Sequence, residues 1–287
     1  IRNGMDVLKT VRGFAESDLG ERIRVVWSGA EYRGRGRETN WKGRASFGGA
    51  SIRRMAKINA WNLERKLEQH GRDTVVFDAI TTGNHVWDQR DIIPHFDKEP
   101  RLLRPDNFPK GTPGKGIGQF TDARGRKIII MHLMARLFMD PLDDPFAAVT
   151  EMLNTWRLGR NTDAIVLDFH GEASSEKMAM GHFLDGRVSV VVGTHTHIPT
   201  ADAQVLLGGT GYMTDIGMCG DYDSVIGIRK EISVERFVRK MPTARMEAAQ
   251  GDATMCAVLI DTDDATGLAT AIRPVRIGGR LREELPE

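Results

Sequence analysis

Val188-Ser189-Val190-Val191-Val192-Gly193-Thr194-His195-Thr196-His197 is the stretch whose reading decides the fold. Val188 to Val192 is a β-branched, nearly continuous apolar run, the pattern of a strand buried on both faces. Gly193 permits a tight turn directly after it. Two histidines then follow, one residue apart. Ala164-Ile165-Val166-Leu167-Asp168-Phe169 repeats this grammar and ends at His170, and Lys127-Ile128-Ile129-Ile130-Met131 is a third buried strand. Asp144 to Trp156 reads as a helix, with Pro145 near its start where proline is favoured. Thr254 to Asp261 and Ala269 to Ile277 read as late strands, separated by the turn-like Thr262-Asp263-Asp264. Strands alternating with helical patterns, with polar residues where strands end, predict an α/β fold whose site lies along the strand C-termini. No internal repeat or low-complexity tract interrupts the pattern.

Three clusters sit just past strands: Thr81-Thr82-Gly83-Asn84-His85, Asp168-Phe169-His170-Gly171-Glu172, and Gly193-Thr194-His195-Thr196-His197. A lone histidine after a strand is more often structural than a ligand. Two histidines one residue apart after a glycine are different, because both can turn inward around an ion, and imidazole suits Zn, Cu, Fe and Ni. Asparagine is an uncommon but suitable oxygen ligand. A histidine beside it, His85, can donate to a phosphate oxygen or a leaving group. Together the clusters describe a site that holds a phosphate between metals, with water or hydroxide as nucleophile. His132 and His182, beside apolar stretches, are expected to be structural, although His132 lies at a strand end near the site. His70 and His95 read as surface residues. Glu172 either orients a ligand histidine or faces solvent. Lys115, between glycines, either touches substrate phosphate or serves its turn.

The motifs Gly83-Asn84-His85 and Gly193-Thr194-His195-Thr196-His197 resemble the signatures of calcineurin-like metallophosphoesterases. The surrounding segments resemble one branch, the YmdB-like family. They include Val86-Trp87-Asp88, Leu103-Arg104-Pro105-Asp106-Asn107-Phe108-Pro109, Gly111-Thr112-Pro113-Gly114-Lys115-Gly116 and Leu142-Asp143-Asp144-Pro145-Phe146. Ala173-Ser174-Ser175-Glu176-Lys177, Thr200-Ala201-Asp202 and Asp215-Ile216-Gly217-Met218-Cys219-Gly220 belong to the same set. The resemblance runs from about Asp78 to the C-terminus. It implies a sheet sandwich and a phosphodiesterase acting on 2′,3′-cyclic nucleotides with two divalent ions, Fe or Mn. It also implies a cytoplasmic protein that is often a homo-oligomer. It carries Asn84, His170 and His195 as ligands of one metal, His197 as a ligand of the other, and His85 as the catalytic histidine.

Residues 1–77 do not resemble that family. They carry 16 Lys or Arg against 9 Asp or Glu, whereas the whole chain is nearly neutral at +1. The family opens with a strand ending in Gly-Asp, and a later Gly-Glu-Asn follows a second strand. Neither carboxylate motif occurs upstream of Asp78. The expectation is therefore a phosphoesterase domain over 81–287 that lacks its first βαβ portion. A basic N-terminal segment of uncertain, β-rich character precedes it over 1–80, as in a chimera. Within that segment, residues 5–15 have helical spacing, while Arg22 to Trp27 and Thr74 to Ile80 read as strands. Met55 to Leu67 fits helix or strand. Asp18, Glu31, Glu38 or Glu64 could fill the missing carboxylate positions.

Two other function classes compete. One is a non-catalytic remnant that binds one metal, or a nucleotide, without turning it over. The other is RNA binding through Arg33, Arg35, Arg37, Lys42 and Arg44 interleaved with Tyr32 and Trp41, set against a solvated Arg/Gly-rich hairpin, which is favoured. No apolar run approaches the length of a membrane span, so no membrane partner is expected. The two cysteines, Cys219 and Cys256, have no Cys-x-x-Cys spacing and read as thiols of a reducing compartment. The opening Ile1-Arg2-Asn3-Gly4 is neither a signal peptide nor an initiating methionine, so a fragment of a longer protein is expected.

Overall fold

The computed structural model describes residues 79–284, apart from 89, 123 and 242–243, and also the two-residue strand Arg24–Val25. In chain order the strands are β1 (Arg24–Val25), β2 (Ile80–Thr81), β3 (Leu102–Leu103), β4 (Ile117–Thr121), β5 (Lys127–Met134) and β6 (Ala164–His170). They continue as β7 (Val190–Thr194), β8 (Gln204–Val205), β9 (Gly211–Met213), β10 (Gly220–Asp221), β11 (Ala253–Thr262) and β12 (Ala269–Ile277). The α-helices are α1 (Ile93–Phe96), α2 (Pro145–Thr155), α3 (Ser174–Phe183) and α4 (Lys230–Arg239).

The central sheet has six strands in the order β4-β5-β6-β7-β9-β8, and β5, β6, β7 and β9 run parallel. Its alternating residues explain why the strand sequences are apolar throughout. Ile129, Met131, Leu133, Ile165, Leu167, Phe169 and Val191 face one way and pack with Val149, Met152 and Leu153 of α2 and Met180 of α3. Val166, Val190, Val192 and Met213 face the other way, against Val258, Ile260 and Ala269 of the β11–β12 hairpin. Helices therefore cover one face and a second sheet covers the other, a mixed α/β sandwich. The second sheet joins β10, β11 and β12 with β1, whose Arg24 and Val25 pair with Leu259 and Val258.

The expected strands and helix are present, with longer or shifted ends. β5 continues past Met131 to Met134, and β7 starts at Val190, after Ser189, whose hydroxyl donates to the Gly267 carbonyl. α2 begins where Pro145 suggested, and Asp144 caps it by accepting from the Phe146 and Ala147 amides. Of the N-terminal expectations, Arg24–Val25 and Ile80 are strand residues. The helix over 5–15 and the segment 55–67 lie outside the described residues. Sequence reading misses α3, because its buried side carries Lys177 and Gly181 beside Met180, which hides the apolar period. Gly181 is needed there, since a Cβ would stand 2.5 Å from the Tyr212 ring. His182 is corrected: it is exposed on α3 and packs into no core, because the apolar stripe of that helix passes through its neighbours.

The conspicuous loop motif Leu103 to Pro109 is structural. Arg104 spends its guanidinium on the carbonyls of Pro113, Pro105, Asp106 and Thr112. Asn107 donates to the carbonyls of Met134 and Asp143 and accepts from the Met134 amide, fastening the loop to the end of β5. Asp202 does similar work beyond β7. Burial would raise its carboxyl, but hydrogen bonds from Thr200 and Thr214 outweigh that and hold it below the usual carboxylate range. A depressed folded-state pKa contributes stability above the unfolded value of about 3.9 and loses it as pH falls through the folded value. Asp202→Asn is expected to cost about 1.5 kcal/mol at pH 7, and nothing once both states are protonated. Denaturant melts of the two proteins at pH 7 and under acid check this, and a gap that persists in acid would overturn it.

Candidate active site

Strand register brings the clusters together. His132 of β5 lies opposite Asp168 of β6, and Met134, His170 and Thr194 are level at the C-terminal ends of β5, β6 and β7. Two glycines make room for the histidine side chains and their loop. Gly83 has φ +73°, and a Cβ on it would stand 2.5 Å from the His170 ring. A Cβ on Gly193 would lie 1.7 Å from the Thr214 carbonyl oxygen, so only glycine fits between β7 and its neighbour. Past Gly193 the backbone is strained, with His195 at φ 103° and His197 at φ 68°. Left-handed conformations at non-glycine residues persist where surrounding contacts impose them.

Here the imposing contact is Asp215. Its Oδ2 accepts from the Thr196 amide at 2.9 Å and from Lys177 Nζ at 3.0 Å, and its Oδ1 accepts from the Gly217 amide. The side chains of Lys177 and Asp215 are each 1% exposed. A buried ion pair thus clamps the loop that carries both histidines.

Three of the expected ligand atoms converge. His170 Nε2 lies 2.9 Å from Asn84 Oδ1 and 3.2 Å from His195 Nδ1. Glu172 Oε2 stands 3.2 Å from His195 Nε2. A carboxylate only accepts, so His195 carries its proton on Nε2 and turns its Nδ1 lone pair to His170. The orienting reading of Glu172 is the one the geometry supports. His197, nearly buried, donates from Nδ1 to the Ile226 carbonyl at 3.0 Å, which leaves Nε2 as its lone-pair atom. His85 is held through Nδ1 by Asp88 Oδ2 at 3.1 Å. Lys115 is exposed in its turn, and its carbonyl accepts from the Arg104 amide.

Behind the converging atoms lies a buried network that motif reading misses. Asp168 accepts from the Thr194 hydroxyl at 2.7 Å, and that hydroxyl stands 2.9 Å from His170 Nδ1. His132 Nδ1 bonds to the Asp168 backbone carbonyl at 3.2 Å and also lies 3.2 Å from the other carboxylate oxygen, while His132 Nε2 accepts from the Gly83 amide at 3.0 Å. Burial would raise the Asp168 carboxyl, but His132, His170 and Thr81 outweigh it and hold it below the usual carboxylate range. A carboxylate in the middle of an apolar strand was the one available signal.

Among the described residues, no group of three or more His, Cys, Asp or Glu side chains is placed to hold a metal ion. The converging trio holds two histidines and an asparagine amide. Its chemistry nevertheless fits one cation: lone pairs 2.9–3.2 Å apart repel unless a positive charge, a proton or a metal ion, lies between them. Asp18, Glu31, Glu38 and Glu64 lie outside the described residues.

A parallel sheet gathers Asn and His side chains at its strand ends, and the relatives of the chain place it in a class, the phosphoesterases. The YmdB-like protein family model matches residues 66–275, and the chain belongs to that family. The match begins upstream of Asp78, where the motifs alone start. A 2′,3′-cyclic-nucleotide 2′-phosphodiesterase of Bacillus subtilis (strain 168) is 46% identical over 200 residues, covering 70% of this chain and 74% of the relative. A hypothetical protein from Thermus thermophilus superposes with a TM-score of 0.65 at 39% identity, over 76% of this chain and 81% of that one. A novel phosphatase from Mycoplasma pneumoniae superposes at 0.64 with 30% identity, over 78% and 76%. Among the described residues, no helix is long and apolar enough to cross a membrane.

Proposed function

We propose that this chain is a metal-dependent phosphodiesterase that hydrolyses 2′,3′-cyclic nucleotides. The observation that supports it is the convergence of Asn84 Oδ1, His170 Nε2 and His195 Nδ1, each turned inward by a partner or by the turn it sits on. Those residues would hold one divalent cation, Fe or Mn. When bound, such a cation supplies charge neutralisation at a phosphoryl oxygen and an activated water nucleophile at neutral pH.

The remaining roles fall to the chain itself. His197, its Nδ1 engaged by Ile226, presents Nε2 to a second ion. His85, oriented by Asp88, donates to the phosphoryl oxygen or protonates the leaving alkoxide. The carboxylates that commonly separate two such ions are missing from the motifs upstream of Asp78, so the rate is expected to be below that of an intact two-metal site.

Purified chain loaded with Mn²⁺ is expected to open 2′,3′-cyclic AMP to a nucleoside monophosphate and to retain at least one ion per chain by elemental mass spectrometry. A loaded chain that holds metal but turns over no cyclic nucleotide would instead be a binding remnant.

A further inference from the structure

We propose that Phe138 is the platform on which the nucleobase of the substrate stacks, an inference that rests on reading the substrate as a cyclic nucleotide.

Backbone strain singles this residue out. Among the described residues, five that are not glycine have positive φ: Phe138, His195, His197, Ile226 and Lys240. Four of them have a local reason. His195 and His197 flank Thr196, whose amide Asp215 holds, Ile226 offers its carbonyl to His197 Nδ1, and Lys240 closes the C-terminus of α4. Phe138, at φ 63°, is a bulky side chain in a conformation that favours glycine.

The backbone on both sides of it is anchored. Ala135 donates its amide to the His170 carbonyl at 2.9 Å, so the loop after β5 starts beside that residue. The Arg136 and Leu137 amides donate to the Glu176 carboxylate at 2.9 and 2.8 Å. Met139 returns its amide to the Arg136 carbonyl and packs against the core. Between these anchors Phe138 is 81% exposed. Burying a phenyl ring is favourable, yet this loop holds one in water on a strained backbone, the mark of a functional rather than a packing position.

Phe138 stands three residues past Ala135, and three residues span at most about 11 Å. The loop therefore keeps the ring at the strand-end edge that carries His170, within reach of the base of a nucleotide whose phosphate is held there. The base is the flat, apolar part of such a substrate. Stacking on an aromatic ring suits every base, because each has a π-face, and favours the larger purines.

The test uses the full chain loaded with Mn²⁺. Phe138→Ala is expected to raise KM for 2′,3′-cyclic AMP by about 5–150-fold, the loss of one base–aromatic stack. Turnover at saturation should change little, because the ring binds ground and transition states alike. KM for 2′,3′-cyclic UMP should rise less, and KM for methyl riboside 2′,3′-cyclic phosphate, which has no base, should not move. Phe138→Gly accepts the left-handed backbone without strain and should give the same pattern, while Phe138→Trp should keep the wild-type KM. Calorimetric titration with 3′-AMP, which carries base and phosphate but no ring to open, reads the contact without turnover, and its Kd should weaken by the same factor in both truncations. A chain that opens no cyclic nucleotide yet binds 3′-AMP through Phe138 would overturn only the catalytic reading. Unchanged 3′-AMP affinity in Phe138→Ala, no 3′-AMP binding by the wild type, or an equal rise in KM for the baseless substrate would overturn the proposal.

Discussion

Replacing His85 by alanine is expected to lower kcat for 2′,3′-cyclic AMP by about 10²–10⁴-fold, the range of a single general acid. Metal binding should change little. The converging lone pairs belong to Asn84, His170 and His195, and His85 is engaged instead with Asp88 at 3.1 Å. The two readouts together separate a catalytic role from a ligand role. Loss of metal along with activity would make His85 a ligand. Full activity with metal retained would place the proton donor elsewhere. Asp88→Asn should give a smaller loss, because the ring stays while its orienting carboxylate becomes an amide. The comparison is made with single-turnover rates at saturating Mn²⁺, so that product release does not mask the chemical step.

Lys177→Met should be the most damaging single change to stability. Lys177 and Asp215 are each 1% exposed, 3.0 Å apart, and far from any compensating solvent. Removing one partner of a buried pair leaves an uncompensated charge and costs about 3–5 kcal/mol. In a chain of this size that corresponds to a fall in melting temperature of about 6–20 °C. Asp215 also accepts the amides of Thr196 and Gly217, so the damage reaches the strained histidine loop. The double variant Lys177→Met with Asp215→Asn should recover part of the loss, since the amide is neutral and still offers one acceptor. Calorimetric melting of the three proteins decides it. An unshifted Lys177→Met would show that the pair contributes nothing, and that Met180 and its neighbours alone hold α3 in place.

The amino-acid sequence alone determined the buried strands, the N-capped helix α2 and the three clusters at strand ends. These are local properties. A β-branched run buried on both faces has one period, Asp-Pro before an apolar face starts a helix, and Gly-Asn-His or Gly-x-His-x-His carries its chemistry within a few residues. The family was legible for the same reason.

The tertiary structure decided what joins the clusters. That His170 and His195 meet depends on the parallel register of β6 and β7, and Asn84 joins them because the Gly83 amide bonds His132 of β5, which no window of sequence contains. Lys177 and Asp215, and likewise Asp168 and Thr194, are far apart in the chain and look like ordinary polar residues. Only burial makes them partners, because a charge or hydroxyl removed from water must be answered by whichever group the fold brings within about 3 Å. His182 and His132 show the two outcomes of one ambiguous pattern. Both sit beside apolar residues, yet one turns to solvent and the other is sealed between Asp168 and Gly83, because a helix can rotate a polar side chain outward while a central strand buries both of its faces.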